Sequence, residues 1–287
     1  MPADHHRLKE DLNHLVGERH PFSSQIRLQQ TEAYLHRQLS EAGLAVTTHQ
    51  FEALGRSYRN VIGTAPPASA HGPLPPLIIG AHFDTVAGSP GADDNASALA
   101  VMLHVARHVQ NMRLARPIRF IAFNLEELNL LGSAAYVSFL SETGEAIHGA
   151  IILECVGYAS HQEGSQKLPP GVPIAVPTTG DFLAVIGNER SQVLTGSVTH
   201  AMMLHLPIIP LIVPGNGEQL PDTRRSDHTP FWEHGFSAVM LTDTANFRNP
   251  HYHRSTDTLE TLNLDFIASV ADGVTATVMA LAGQRTA

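Results

Sequence analysis

The sequence predicts a single α/β domain in which helices cover both faces of a mainly parallel sheet. Two observations predict this class. A chain of 287 residues with 43% hydrophobic and 16% charged side chains can bury a large core. Short, continuously apolar segments also alternate with stretches of helical periodicity, and that alternation is typical of parallel sheets buried between helices.

An amphipathic helix is predicted first, from Ser24 to Gly43. Ser24 suits the N-cap position and Gly43 suits the end of a helix. Four apolar side chains recur at helical spacing and share one face: Leu28, Leu35, Leu39 and Ala42.

The predicted strands and helices follow in turn. Two strand-like runs cover residues 45–51 and 60–65, and a loop rich in Pro and Ala covers residues 66–76. The four core strands are the segments PLIIGAH (76–82), PIRFIAFN (117–124), GAIILECV (149–156) and SAVMLTD (237–243). The predicted helices after the first strand are residues 96–109, the stretch after Glu127, residues 191–205, and a closing helix that carries Ile267, Val270, Val274 and Leu281.

Residues 159–185 are rich in Pro, Gly and Ser, so we expect a loop excursion rather than a second domain within the single domain 1–287. No internal repeat is present in the sequence.

Composition argues against several classes of protein. The net charge of −9 and the pI near 6.0 provide no basic surface for nucleic acid or an anionic membrane. The single cysteine, Cys155, excludes an intrachain disulfide and fits a reducing compartment. The first residues are polar, and no later window suggests a membrane span. We therefore expect a cytoplasmic protein.

Acids and histidines follow the carboxyl ends of the four core strands, where open α/β sheets bind their ligands. These side chains are His82 and Asp84, then Glu126 and Glu127, then Glu154, and finally His251, His253 and Asp257. Imidazoles with several carboxylates and no thiolate suit Zn²⁺ or a related divalent ion. The adjacent pair Glu126–Glu127 strengthens this reading, because neighbouring carboxylates near a core repel each other unless a cation compensates them.

Other chemistry-bearing residues have simpler explanations. His104 and His108 have the spacing of a helical metal pair, but the glutamate of an H-E-x-x-H motif is missing, so we interpret them as residues of a helix face. Ser226 has Asp and His neighbours in sequence, yet no nucleophile elbow surrounds it. Cys155 lies among apolar residues and is expected to be an inert core thiol. His5 and His6 form a polar N-terminal pair.

Six motifs, in this order and spacing, carry a resemblance to a known family. They are HFDT, PGADDNASA, NLEELNLLGS, LECVGY, SDHTPFW and NPHYHRSTDTL, and together they resemble the M28 family of zinc aminopeptidases over nearly the whole chain. The resemblance implies one zinc-exopeptidase-like α/β domain with a central mixed sheet between helices.

The resemblance also implies two zinc ions that share a carboxylate and a bridging water, although cobalt or manganese could replace zinc. Asp94 is the expected shared ligand, and Asp93 is its rival. His82 and Glu154 are expected to belong to separate ions, but which acid accompanies which histidine stays open. The implied ligands are His82, Asp94, Glu127, Glu154 and His253.

Three further roles come from the resemblance. Glu126 would be the general base, which takes the proton of the water and passes it to the departing amine. Asp84 would accept the ring N–H of His82 and fix its tautomer. Tyr252 would donate a hydrogen bond to the developing oxyanion, and the Asp94–Asn95 peptide would be cis.

The expected reaction is hydrolysis of the N-terminal peptide bond of a peptide with a free amino terminus. Glutaminyl cyclases are one alternative, because they share the fold and several ligands but typically hold one zinc. A carboxypeptidase-like relative is another, and it needs a basic cluster for which only Arg224–Arg225 is nearby. A non-enzymatic domain would lack a ligand or the base, and none is missing. The pocket walls are expected from residues 159–185 and 215–228, whereas the oligomeric state stays open.

Overall fold

One eight-stranded sheet runs through the residues that the computed structural model describes, 3–68 and 74–284. Its strands lie in the order β1-β2-β4-β3-β5-β8-β6-β7. They are β1 (Ala45–Ala53), β2 (Arg56–Ala65), β3 (Leu77–His82), β4 (Ile118–Phe123), β5 (Gly149–Glu154), β6 (Leu183–Asn188), β7 (Ile208–Val213) and β8 (Ala238–Thr242). The helices are α1 (His5–Leu15), α2 (Gln25–Glu41), α3 (Ala98–His108), α4 (Leu131–Thr143), α5 (Gln192–Met202), α6 (His228–Glu233) and α7 (Leu264–Ala282).

The four predicted core strands are parallel neighbours. β3 pairs in parallel with β4 and with β5, and β5 pairs in parallel with β8. Their carboxyl ends therefore meet at one edge of the sheet, as predicted. β2 runs antiparallel to β4 and β6 runs antiparallel to β8, which makes the sheet mixed. The predicted fold class is confirmed.

Both faces of the sheet are buried against helices. Ile79 and Ile151 pack in the core that includes α1, α2, α3, α5 and α7. Their neighbours Ile78 and Ile152 pack in the core of the other face, with side chains of α4 and α6. Successive strand residues point to opposite faces, so a strand covered on both sides must be apolar at every position. This explains why the core strands are continuously apolar in sequence.

The predicted first helix forms with small differences. α2 covers Gln25–Glu41, and Ser24 occupies the N-cap position without a side-chain hydrogen bond to the helix. Gly43 has φ +76°, which glycine adopts at little cost, and the helix ends just before it.

Two strands and two helices were missed by the sequence analysis. β6 begins at Leu183, so the excursion ends at residue 182, three residues before the predicted end at 185. β7 follows α5, a helix that was predicted. α1 and the six-residue α6 were also not predicted, because each shows only a short periodic pattern. Residues 69–73 of the predicted loop 66–76 lie outside the described residues.

The expectation that no segment is long and apolar enough to span a membrane is wrong for α7. By length and composition this 19-residue helix meets that requirement, although half of it is buried inside the fold. Its fully buried side chains Ile267, Val270, Val274 and Val278 belong to the core beneath the sheet. α7 packs against α3 and α5, which explains why a core helix is so apolar.

His104 lies in α3, as predicted, and its side chain is buried. Its side chain is only 3% exposed, and its ring stacks on His108 with a centroid distance of 4.1 Å. Burial, helped by the nearby His108 and Arg107, lowers the pKa of His104 to about 4. The native protein therefore keeps this imidazole neutral well below the pH at which an unfolded histidine takes up a proton.

We expect His104 to make the fold sensitive to acid. Between pH 6.5 and 4 the unfolded chain binds a proton at this residue and the native chain does not, so the free energy of unfolding falls as pH falls. In His104→Gln this loss should shrink by on the order of 2 kcal/mol, measured by urea unfolding at a series of pH values. His36→Gln, on an exposed face of α2, is the control. An unchanged pH slope in His104→Gln would refute the assignment.

Candidate active site

The turn between β3 and α3 brings His82 and Asp94 together. Gly91 has φ +60°, and a Cβ atom there would lie 2.3 Å from the carbonyl oxygen of Asp94, so only glycine fits. The following turn is distorted, with Asp94 at φ −104° and ψ 86°, and the Asp94–Asn95 peptide is cis, as expected. α3 begins at Ala98, two residues later than the predicted start at residue 96.

The first group of ligand atoms surrounds His82, and we call His82, Asp94 and Glu154 the His82 cluster. The Nε2 atom of His82 lies 3.2 Å from Oδ1 of Asp94 and 3.4 Å from Oε2 of Glu154. Oε2 of Glu126 is slightly further away, at 3.8 Å from the same nitrogen.

The second group is the His253 cluster, made of His253, Asp94 and Glu127. The Nε2 atom of His253 lies 3.0 Å from Oδ2 of Asp94 and 3.2 Å from Oε2 of Glu127. Asp94 thus offers one oxygen to each histidine. These distances pair His82 with Glu154 and His253 with Glu127, and they contradict the expectation that His82 and Glu154 belong to separate ions.

Asp93, the rival for the shared position, is occupied elsewhere. Its Oδ1 accepts the backbone N–H of Gly157 at 2.8 Å, and its Oδ2 accepts the side-chain amide of Asn249 at 2.7 Å. Because both oxygens already have partners in the protein, the geometry favours Asp94 as the shared residue.

The two clusters fit divalent cations by two observations. Among the described residues, His82 Nε2, Asp94 Oδ1 and Glu127 Oε1 are buried without a hydrogen-bond partner, although such atoms are nearly always paired in proteins. Two ligand atoms bound at about 2.0–2.1 Å to a tetrahedral zinc would lie roughly 3.3 Å apart. The separations of 3.0 to 3.4 Å within the clusters match this spacing.

The electrostatics of the His253 cluster also reflect crowded acids. Burial, followed by the charge of Asp94, raises the pKa of Glu127 to about 7. Burial opposes protonation of His253, but its hydrogen bonds to Asp94 and Glu127 outweigh it and raise the pKa of His253 to about 10. A cation bound between these groups would replace the proton that holds them together.

An apolar pocket opens beside the clusters, with Glu154 and Tyr252 in its lining. Its walls come from the expected excursion and from the strands β6, β7 and β8. Typical wall residues are Val172, Ile174, Phe182, Ala184, Leu211 and Met240. Asp222 and Arg225 also line it, so both expected regions of the sequence contribute.

The comparison with protein families decides the identity of this site. The family model described as Peptidase family M28 matches residues 60–278, which include both clusters and all the residues that line the pocket. The chain belongs to peptidase family M28.

Two curated relatives resemble this M28 chain. Protein YfbL of Escherichia coli K12, named as uncharacterized, is 32% identical over 95% of this chain and 87% of its own length. Aminopeptidase YwaD of Bacillus subtilis 168 is 30% identical over 77% of this chain, but the chain spans only 44% of that longer protein.

Two solved structures place the fold of this M28 chain. BSAP, a zinc aminopeptidase from Bacillus subtilis, superposes with a TM-score of 0.61 at 27% identity, over 81% of this chain and 52% of BSAP. Macrostomum lignano glutaminyl cyclase superposes with a TM-score of 0.74 at 15% identity, over 96% of this chain and 89% of the cyclase. The second likeness shows a shared fold alone.

Asp84 contacts the site differently from the expected way. Its carboxylate oxygen lies 3.6 Å from Nδ1 of His82, whereas its own backbone carbonyl lies 3.2 Å from that nitrogen. The carboxylate instead accepts the backbone N–H groups of Glu126 at 3.0 Å and Glu127 at 3.1 Å. Asp84 therefore fixes the backbone of both glutamates, and its carbonyl is the closer partner of the imidazole.

Tyr252 lies against the His253 cluster. Its ring stacks on the imidazole of His253 with a centroid distance of 3.9 Å and an angle of 16°. The phenolic oxygen accepts a hydrogen bond from Arg225 at 3.1 Å. Burial and the nearby charge of Asp94 raise the pKa of Tyr252 far above its usual value, so the hydroxyl keeps its proton.

Three supporting residues were missed by the sequence analysis, or given another role. Ser226 donates a hydrogen bond to Oε2 of Glu154 at 2.7 Å. Asp257, expected among the candidate ligands, instead accepts the backbone N–H groups of Asp93 and Asp94 at 3.0 and 3.2 Å. Asn95 ties the turn to β5 through the carbonyl of Leu153 at 3.0 Å. Each belongs to a quoted motif, which was the available signal.

The remaining candidates lie outside the two clusters. His251 contacts the hydroxyl of Thr256 at 2.9 Å and belongs to neither cluster. Cys155 directly follows the end of β5, although the predicted strand 149–156 included it. Its Sγ lies 3.4 Å from Oε1 of Glu154. Burial raises the pKa of the Cys155 thiol well above its usual value, which leaves it protonated and inert.

Proposed function

We propose that this M28 chain is an aminopeptidase with two zinc ions, which hydrolyses the N-terminal peptide bond of peptides that begin with a large apolar residue. The observation that carries the proposal is Asp94, which offers one carboxylate oxygen to each of two histidine-containing clusters directly beside an apolar pocket.

The His82 and His253 clusters would each hold one ion, with Asp94 shared between them. When bound, paired zinc ions lower the pKa of a shared water and polarise the peptide carbonyl. The protein contributes fixed ligands. Ser226 holds Glu154, and Asp257 holds the backbone of the turn that carries Asp94.

Glu126 is suited to act as the general base. It lies just beyond the His82 cluster, and its side chain is 10% exposed. Burial raises the pKa of Glu126 well above its usual value; His82 opposes this shift, whereas Glu154 and Glu127 add to it. A carboxylate of raised pKa can take a proton from the attacking water and return it to the departing amine near neutral pH.

Tyr252 is placed to stabilise the substrate oxygen. Its oxygen accepts from Arg225, and its own O–H is therefore available to donate. A neutral phenol beside the reacting carbonyl donates a hydrogen bond that strengthens as negative charge develops on that oxygen.

The acids beside His82 favour a free amino terminus over an internal peptide segment. Glu126 and Glu154 lie near each other through their contacts with His82, and Glu154 also lines the pocket. A protonated amine placed there would be attracted by these carboxylates, while the first side chain would enter the apolar pocket.

The pocket predicts the preferred first residue. Ala184 is a small wall residue on β6, so Ala184→Leu should partly fill the space. We expect kcat/KM for leucyl-4-nitroanilide to fall about 10- to 200-fold, because that much discrimination accompanies one or a few methylene groups. Activity on alanyl-4-nitroanilide should fall less. Ala33→Leu, on the exposed face of α2, is the matched control, and an equal loss on both substrates would argue against this pocket.

Metal analysis and a substrate screen test the proposal together. We expect two zinc equivalents per chain and release of the first amino acid from leucyl peptides, lost with a chelator and restored by zinc. One equivalent with cyclisation of glutaminyl peptides would favour a cyclase. Release from the carboxyl end would favour a carboxypeptidase, for which Arg224 is poorly placed because it pairs with Glu233 and Glu218.

A further inference from the structure

We propose that Arg19 is a positioning residue of the metal site, which fixes the segment after His82 and the turn before Asp94 relative to each other. The inference rests on the proposed function. Arg19 precedes the region that the family model matches, which begins at residue 60.

The side chain of Arg19 is fully buried. Among the described residues, the partners of its side-chain hydrogen bonds are all backbone carbonyls. Nε donates to Phe83 at 2.8 Å, and Nη2 donates to Gly91 at 3.0 Å. Nη1 lies within hydrogen-bond distance of three further carbonyls: Leu15 at 2.6 Å, Gly17 at 2.8 Å and Pro90 at 3.0 Å.

These carbonyls belong to the segments that carry the ligands. Phe83 directly follows His82, and Gly91 opens the turn that leads to Asp94. One planar group therefore joins both segments. The backbone adds two further contacts, from Gly17 N–H to Pro90 at 2.8 Å and from Arg19 N–H to the Thr85 hydroxyl at 2.9 Å.

The positive charge of Arg19 also interacts with the acids of the metal site. Within the described part of the chain, no carboxylate forms a salt bridge with Arg19, yet burying an unpaired charge is costly. Burial lowers the pKa of Arg19 to about 10, while Asp94, Asp84 and Asp257 act in the opposite direction. The guanidinium therefore stays charged at neutral pH and offsets part of the repulsion among these acids.

Lysine cannot reproduce this arrangement. An ammonium group has three donors at a single point, whereas a guanidinium has five donors in a planar fork that can reach separate carbonyls. Arg19→Lys keeps the charge and loses the link between the two segments. Arg19→Met removes both and keeps an unbranched stem.

The test measures zinc affinity of the full-length protein by competition with a chromophoric chelator, together with the Tm of the metal-free protein. Groups that orient ligands typically contribute about 10- to 100-fold in metal affinity. We expect a loss of this size in Arg19→Met and a smaller loss in Arg19→Lys. Arg107→Met is the matched control, because Arg107 forms a salt bridge of 2.6 Å with the buried Asp11, and neither residue belongs to the two clusters. This variant should lower Tm and leave zinc affinity within about twofold.

Wild-type zinc affinity in folded Arg19→Met would overturn the inference. Where Arg19→Met does not fold, Arg19→Lys decides by the same criterion. Failure of both to fold would assign Arg19 to folding alone and would also overturn it. A wild-type protein that binds fewer than two zinc ions would refute the proposed function and the inference with it, whereas a fully loaded wild type with equally loaded variants would refute the inference only.

Discussion

Glu126→Gln is expected to lower kcat on leucyl-4-nitroanilide by about 10²- to 10⁴-fold, the usual contribution of a general base. The amide is nearly the same size and cannot accept the proton of the attacking water. Zinc content should stay unchanged, because Glu126 lies 3.8 Å from His82 Nε2, further away than Asp94 and Glu154 in the cluster. KM should change little, since the apolar pocket is untouched.

Glu142→Gln is the matched control for this variant, because Glu142 is exposed near the end of α4. It should retain wild-type turnover. A Glu126→Gln protein with full zinc content and full rate would remove Glu126 from the mechanism. A protein that loses zinc would instead make Glu126 a ligand.

Asp94→Asn is expected to have the largest effect on metal binding. In the wild type, one oxygen of Asp94 lies beside His82 and the other lies beside His253. An asparagine side chain has only one oxygen, so it cannot supply a ligand atom to both clusters. We expect loss of one or both zinc ions by elemental analysis, and loss of nearly all peptidase activity. The zinc-dependent increase in Tm should shrink, since a ligand at 100 times its Kd stabilises a fold by about 2.7 kcal/mol.

The control for this variant is Asp265→Asn, an exposed carboxylate that contacts His5 on the surface. It should keep both the zinc content and the Tm increase. Full zinc loading in Asp94→Asn would contradict a shared role for this residue and would reopen the case for Asp93.

The sequence predicted the site best where a candidate ligand lies at or directly after the carboxyl end of a strand. His82, Glu127 and Glu154 could be placed at one edge because parallel neighbours end at the same edge. The six motifs added the roles of Asp94 and His253. The cytoplasmic location and the absence of nucleic-acid or membrane partners stay predictions.

Contacts between distant segments were not predictable from the sequence. The carboxylate of Asp84 accepts hydrogen bonds from the backbone N–H groups of Glu126 and Glu127, some 40 positions later in the sequence. No local sequence pattern predicts hydrogen bonds between such distant residues. The pairing of His82 with Glu154 likewise depends on how β3 and β5 adjoin. Arg19 was missed because the sequence does not distinguish a buried arginine that donates to backbone carbonyls from an arginine on the surface.

The order of the strands has a consequence for synthesis of the protein on the ribosome. β8 is inserted between β5 and β6, and His253 follows it in the chain, so more than half of the sequence separates His82 from His253. A nascent chain that has emerged only through β6 can present His82, Glu127 and Glu154 but not the second histidine. The His253 cluster therefore cannot be completed until β8 and the segment that follows it have been synthesised and β8 has paired with β5.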